Sequence, residues 1–152
     1  MIHLGLSARM SELHAAVALC SLREIDTLVK ARLERIAVYR ERLGRLAGCS
    51  VQTFPADRTS SGNYFVLFVS ERARRTRDEV HDALKAARVE TKRYFYPPLH
   101  EQTLFRRFPR RVSARMIHTH RASREGLALP LYSHMTADQL ERVCEEVERL
   151  LA

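Results

Sequence analysis

The chain has 152 residues, 45% of them hydrophobic and 29% charged, and a formal net charge of +8 at pH 7. A chain of this size can bury a core without disulfides or metals, and no apolar run reaches the roughly 18 residues that a membrane span requires. The start, "MIHLGLSARMSEL", lacks the basic-then-apolar layout of a secretory leader, so a cytoplasmic protein is expected.

In chain order, the first expected element runs from Ser11 to about Ala47. Leu22, Ile25, Val29, Leu33, Ile36, Leu43 and Ala47 recur at three- and four-residue spacing, as one face of a long helix or a bent helix pair. Gly48 is expected to close it, because glycine accepts the left-handed backbone that ends many helices. Behind the turn-rich "ADRTSSG", the apolar and aromatic run "NYFVLFVS" (63–70) predicts a strand buried on both faces. Thr76 and Glu79 have the spacing of a capping box, with Val80, Ala83, Leu84 and Ala87 as the inner stripe of a short helix.

The segment "VETKRYF" (89–95) predicts a second strand, and a helix is expected from about Val112 to Arg124. "LALPLY" (127–132) leads into the last helix. Thr136 and Gln139 form a second capping box there, Met135 and Leu140 stand at the positions of a hydrophobic staple, and Leu140, Val143, Cys144, Val147, Leu150 and Leu151 supply the apolar face. The order helix, strand, helix, strand, helix, helix predicts an α+β fold: a small, mostly antiparallel sheet covered by helices. One domain is expected over 1–152, with a helical arm at 1–48 and an α+β core at 49–152. No internal repeat is present.

The excess positive charge is nearly all arginine, since Lys30, Lys85 and Lys92 are the three lysines. The arginines interleave with glutamate along helical segments, with denser runs at 71–77 and 105–111, and read as a solvated face; nucleic acid is therefore not an expected partner. Cys20, Cys49 and Cys144 are odd in number and far apart, as reduced packing residues are. His118 and His120 form an HxH pair, but side chains two apart on a helix diverge and do not share an ion, so no metal site is expected. Glycine-rich phosphate loops and a GxSxG elbow are absent.

"RYFYPPLH" (93–100) stands apart: three aromatics, two prolines and a histidine. Two readings are open for it. The prolines fix a loop before binding, and the aromatic faces with His100 suit a polar ring; alternatively, Phe95 and Tyr96 plug the sheet edge while His100 satisfies a backbone group.

Three phrases in a fixed order carry a family resemblance: "GLSARMSELHAAVALCSL" (5–22), "TKRYFYPPLH" (91–100), and "LALPLY" with its terminal helix (127–151). Together they resemble the C-terminal part of the DegT/DnrJ/EryC1/StrS sugar aminotransferases, pyridoxal-phosphate enzymes of the aspartate aminotransferase fold. The resemblance implies the small domain of that fold. It places Tyr94, Tyr96 and His100 at the substrate end of a cleft and Arg9 beside an anionic group, as substrate-binding residues. It also implies that the first phrase reaches a neighbouring subunit's active site. The family's usual Gly-x-Asn-x-Arg-Met pattern sets an asparagine near the cofactor phosphate where this chain has Ser7, which keeps a hydroxyl but lacks the amide.

In this family the Schiff-base lysine, the acidic partner of the pyridine nitrogen and the phosphate loop lie on a large N-terminal domain. The resemblance therefore implies no catalytic residues in these 152 positions, no cofactor held by them alone, and pyridoxal phosphate only with a large-domain partner in a homo- or heterodimer. A non-enzymatic module binding nucleotide sugars or other anions is the alternative.

Overall fold

The computed structural model describes residues 9–55, 57–107 and 115–152. Helix α1 (Glu12–Arg23) starts at Ser11, whose side chain accepts from the His14 amide, and α2 (Ile25–Leu43) follows after a single break at Glu24. The expected bent pair is thus present. It ends earlier than the periodicity suggests, with Gly44 at the cap in a right-handed conformation. Gly48 does not close the helix. Its φ of +72° turns the chain into β1 (Cys49–Val51), and a Cβ there would lie 2.4 Å from the backbone nitrogen of Ala73, so both the conformation and the close approach demand glycine.

Strand β2 (Phe65–Val69) is buried almost throughout, as the apolar run predicts. Helix α3 (Arg77–Ala86) follows, with the full capping box of Thr76 and Glu79. The expected strand over 89–95 shrinks to β3 (Lys92–Arg93), after which the chain turns through two single 3-10 turns, Leu99–Glu101 and Phe105–Arg107. Helix α4 (Ile117–Glu125) starts later than expected, and positions 112–114 of the expected helix lie outside the described residues. It runs without a linker into β4 (Gly126–Leu129), and α5 (Ala137–Leu151) carries the second complete capping box, Thr136 with Gln139. Strands β1 and β4 were not expected. Three or four residues are too few for alternation to show, and their identity rests on pairing with distant segments.

Among the described residues the sheet is antiparallel in the order β1-β2-β4-β3, with Phe65 opposite Leu129 and Leu67 opposite Leu127 at its centre. One face carries Phe65, Leu67, Val69, Leu127 and Leu129 into a core with Ile36, Tyr39 and Leu43 of α2, Val80 and Leu84 of α3, and the apolar stripe of α5. Met135 and Leu140, the staple pair, are both buried in it. Tyr39 is fully buried; its ring stacks on Phe65 and its hydroxyl donates to the Pro130 carbonyl at 2.8 Å. Helix α4 packs on the opposite face, against β2. The fold is the α+β arrangement expected, a small antiparallel sheet covered by helices.

The surface differs from the sequence reading in its arginines, while the apolar start of the helical arm stands open. Helix α1 buries none of its residues, so the apolar positions Leu13, Val17 and Leu22 stand exposed, and Ile25 at the start of α2 is 44% exposed. Several arginines are structural rather than solvated. Arg42 pairs with Glu141 and Glu148 and so clamps α2 to α5, Arg35 donates to the Met135 carbonyl, and Arg77, from the 71–77 run, is only 4% exposed. No helix of the described residues is long and apolar enough to cross a membrane.

Candidate functional site

One buried cation lies against the aromatic loop. Arg77, the first residue of α3, donates through Nη1 to the carbonyls of Ser123 and Gly126, each at 3.1 Å, and through Nε to Asp78 at 2.7 Å. Carbonyls in the last turn of a helix lack intrahelical partners, and a cation there also meets the negative end of the helix dipole, so this guanidinium closes α4. Its carbon also lies 5.2 Å from the ring centroid of Tyr96. Ser123, itself buried, donates from its hydroxyl to the Phe95 carbonyl at 2.6 Å, and the Tyr94 amide donates to Gly126. Positions 94–96 are therefore held to α4 and β4 by backbone bonds, which leaves their rings available.

Those rings part company. Tyr94 sits between Phe95 and Tyr64, at centroid distances of 4.3 and 4.7 Å, and its surroundings are those of a packing residue. Phe95 and Tyr96 are 53% and 55% exposed and so do not plug the sheet edge. Tyr96 lines a cleft of about 440 Å³ together with Pro98, Glu101, Arg115, His120 and Arg124. Two arginines and an imidazole against one carboxylate, beside a phenol ring, suit an anionic ligand with a polar ring.

His100 contacts His120 of this cleft, ring against ring at 5.0 Å and nearly perpendicular. Glu101 Oε1 lies 3.3 Å from His120 Nδ1 and 3.8 Å from His100 Nε2. The HxH spacing missed this. His118 does diverge and is exposed, but His120 finds its neighbours on the loop rather than on its own helix. Only the folding of the loop onto α4 brings these groups together, and no signal in the sequence announces it.

Of the residues expected to bind substrate, Tyr96 and His100 come together with α4, and Tyr94 packs behind them. Arg9 is exposed ahead of α1, and among the described residues no hydrogen bond or ion pair ties it to the loop. Ser7 lies outside the described residues. The lysines do not fit pyridoxal phosphate: Lys30, Lys85 and Lys92 are all exposed, and Lys92 stands over the Phe95 ring at 5.6 Å rather than in a pocket facing an acid. A larger cleft, about 790 Å³, passes Lys92, Tyr64, Tyr132 and Arg142, but Glu101 and His120 line the smaller one.

Comparison with known proteins gives one consistent result. The model of the DegT/DnrJ/EryC1/StrS aminotransferase family matches residues 1–148. The chain is 24% identical over 147 residues to a dTDP-4-amino-4,6-dideoxy-D-glucose transaminase of Shigella dysenteriae, covering 97% of this chain and 40% of that protein. It is 26% identical to a pleiotropic regulatory protein of Geobacillus stearothermophilus, covering 95% and 38%. Among solved structures, DesI in the presence of its TDP-sugar product superposes with a TM-score of 0.84 at 31% identity, over 95% of this chain and 36% of that one. The chain thus spans about 40% of the length of the curated relatives it matches.

Proposed function

This chain belongs to the DegT/DnrJ/EryC1/StrS aminotransferase family, and from that premise we propose that it is the small-domain portion of a sugar aminotransferase dependent on pyridoxal phosphate. In this reading it supplies the substrate-side wall of the active site, with Tyr96 and His100 turned toward a nucleotide sugar or cyclitol and Arg9 carried toward a neighbouring subunit. The lysine and the phosphate cradle come from a large domain. The observation that carries the reading is the loop at 94–100: exposed aromatic faces and an imidazole on a backbone already tied down by the Ser123 hydroxyl and the Gly126 carbonyl. A surface ordered before binding loses less conformational freedom when the ligand arrives.

The test is association with a family large domain. The expected outcome is a stable complex by sedimentation velocity, in which added pyridoxal phosphate gives the Schiff-base absorbance band only when both parts are present. Lack of any complex would reject the reading.

A second reading is favoured by the regulatory relative: a non-enzymatic module that binds nucleotide sugars or other anions. It predicts calorimetric binding of a nucleotide sugar to the chain alone, weakened by His100→Ala or Arg9→Ala. A titration without heat, or one that neither variant changes, rejects it.

A further inference from the structure

We propose that His100, Glu101 and His120 form a binding site for one divalent transition-metal ion of the zinc class. The ligand atoms of the three side chains all lie within 4.8 Å of one another. Zinc bonds of about 2.1 Å set at tetrahedral angles separate neighbouring ligand atoms by about 3.4 Å. The carboxylate oxygen of Glu101 already stands 3.3 Å from His120 Nδ1 and 3.8 Å from His100 Nε2, distances that bracket this spacing.

The donor set is that of a known chemistry: two imidazole nitrogens and one carboxylate oxygen hold zinc with one position left for water or a ligand oxygen. Imidazole also selects against magnesium and calcium, which prefer sites made wholly of oxygen.

The two halves of the site come from different elements. His100 and Glu101 belong to the 3-10 turn Leu99–Glu101, directly after Pro97 and Pro98, and His120 lies on α4. Their approach is fixed independently of the ion, since the Ser123 hydroxyl one turn along α4 holds the Phe95 carbonyl at 2.6 Å. An ion here would bind the loop to the helix at a second point and place its open position at the cleft lined by Arg115 and Arg124. A ligand oxygen could complete the coordination there. Without an ion, the same three groups form a carboxylate flanked by two imidazoles, an ordinary polar cluster. The experiment separates these cases.

The chain, free of any histidine tag, is titrated with Zn²⁺ by calorimetry at pH 7.5, and with Co²⁺ while its visible spectrum is followed. One ion per chain is expected, with the intense visible bands of low-coordinate cobalt. His120→Ala and Glu101→Gln should each weaken binding by more than about tenfold, the least that loss of even an outer partner costs at such sites, while His118→Ala leaves it unchanged. Glu101→Gln keeps the shape of the side chain, so it remains informative if His120→Ala fails to fold. Absence of Zn²⁺ binding, binding indifferent to Glu101→Gln, or equal loss in His118→Ala overturns the assignment.

Discussion

The guanidinium of Arg77 sits 5.2 Å from the ring centroid of Tyr96 while its hydrogen bonds go to the carbonyls of Ser123 and Gly126. One side chain thus closes a helix, supports an aromatic ring and fixes the distance between them.

Removing it should be costly. Arg77→Ala leaves two carbonyls without their charged donor and is expected to lower stability by roughly 3 kcal/mol in urea unfolding, the scale of hydrogen bonds to a charged group. Arg77→Lys should recover only part, because an ammonium cannot reproduce the planar fork. In both variants the Tyr96 ring resonances should move toward their unfolded positions. An unchanged Tyr96 spectrum in Arg77→Ala would show that the loop is held by other means.

The apolar face of α1 predicts association. Leu13 and Val17, one turn apart on α1, are exposed by 75% and 61%, and exposed apolar surface of this kind draws a partner. Val17→Glu is expected to reduce concentration-dependent self-association in sedimentation velocity. Because α1 buries nothing in the core, thermal stability at low concentration should change by no more than about 0.5 kcal/mol.

The cap of α3 should carry an acid-sensitive contribution. Thr76→Ala is expected to cost about 1 kcal/mol at neutral pH. Hydrogen bonds from the Thr76 backbone and hydroxyl hold the Glu79 carboxyl below its ordinary value. A lowered carboxyl stabilises the fold above the unfolded value, near 4.3, and the contribution disappears as pH falls through the folded one. The gap between the parent and Thr76→Ala should therefore narrow from pH 7 to pH 3 in urea midpoints.

Alkaline conditions test the core. Burial pushes the Cys144 thiol up to about 11, against the attraction of Arg42. The unfolded thiol ionises near pH 8.5 while the folded one stays protonated, so stability present below that pH is lost as pH rises toward 11. Cys144→Ala should be less stable at pH 7 because of the cavity it leaves, yet flatter in stability between pH 8 and 10.5. Exposed Cys20 should react with a thiol reagent at once and Cys144 only on unfolding.

The elements legible in the sequence are those encoded locally. Both capping boxes, the buried run of β2 and the staple of Met135 with Leu140 each lie within a few residues, and the structure has them all. What escaped depends on distance along the chain. Strand β1 exists because Cys49 pairs with Val69, the buried role of Arg77 depends on carbonyls at 123 and 126, and His120 meets its carboxylate 19 positions back. The break at Glu24 falls without glycine or proline, so nothing local marks it.

Helix α4 passes into β4 between Glu125 and Gly126 with no residue to spare, and β4 is pinned in register by strands on both sides. Segment length is therefore as binding a constraint here as residue identity. One inserted residue at this junction would have to be absorbed by turning the helix through about 100°, swinging His120 away from Glu101 and Ser123 off the loop together. The spacing from position 120 to position 126 works as a ruler, and tolerance to insertion should fall sharply inside it while remaining ordinary at the surface turns.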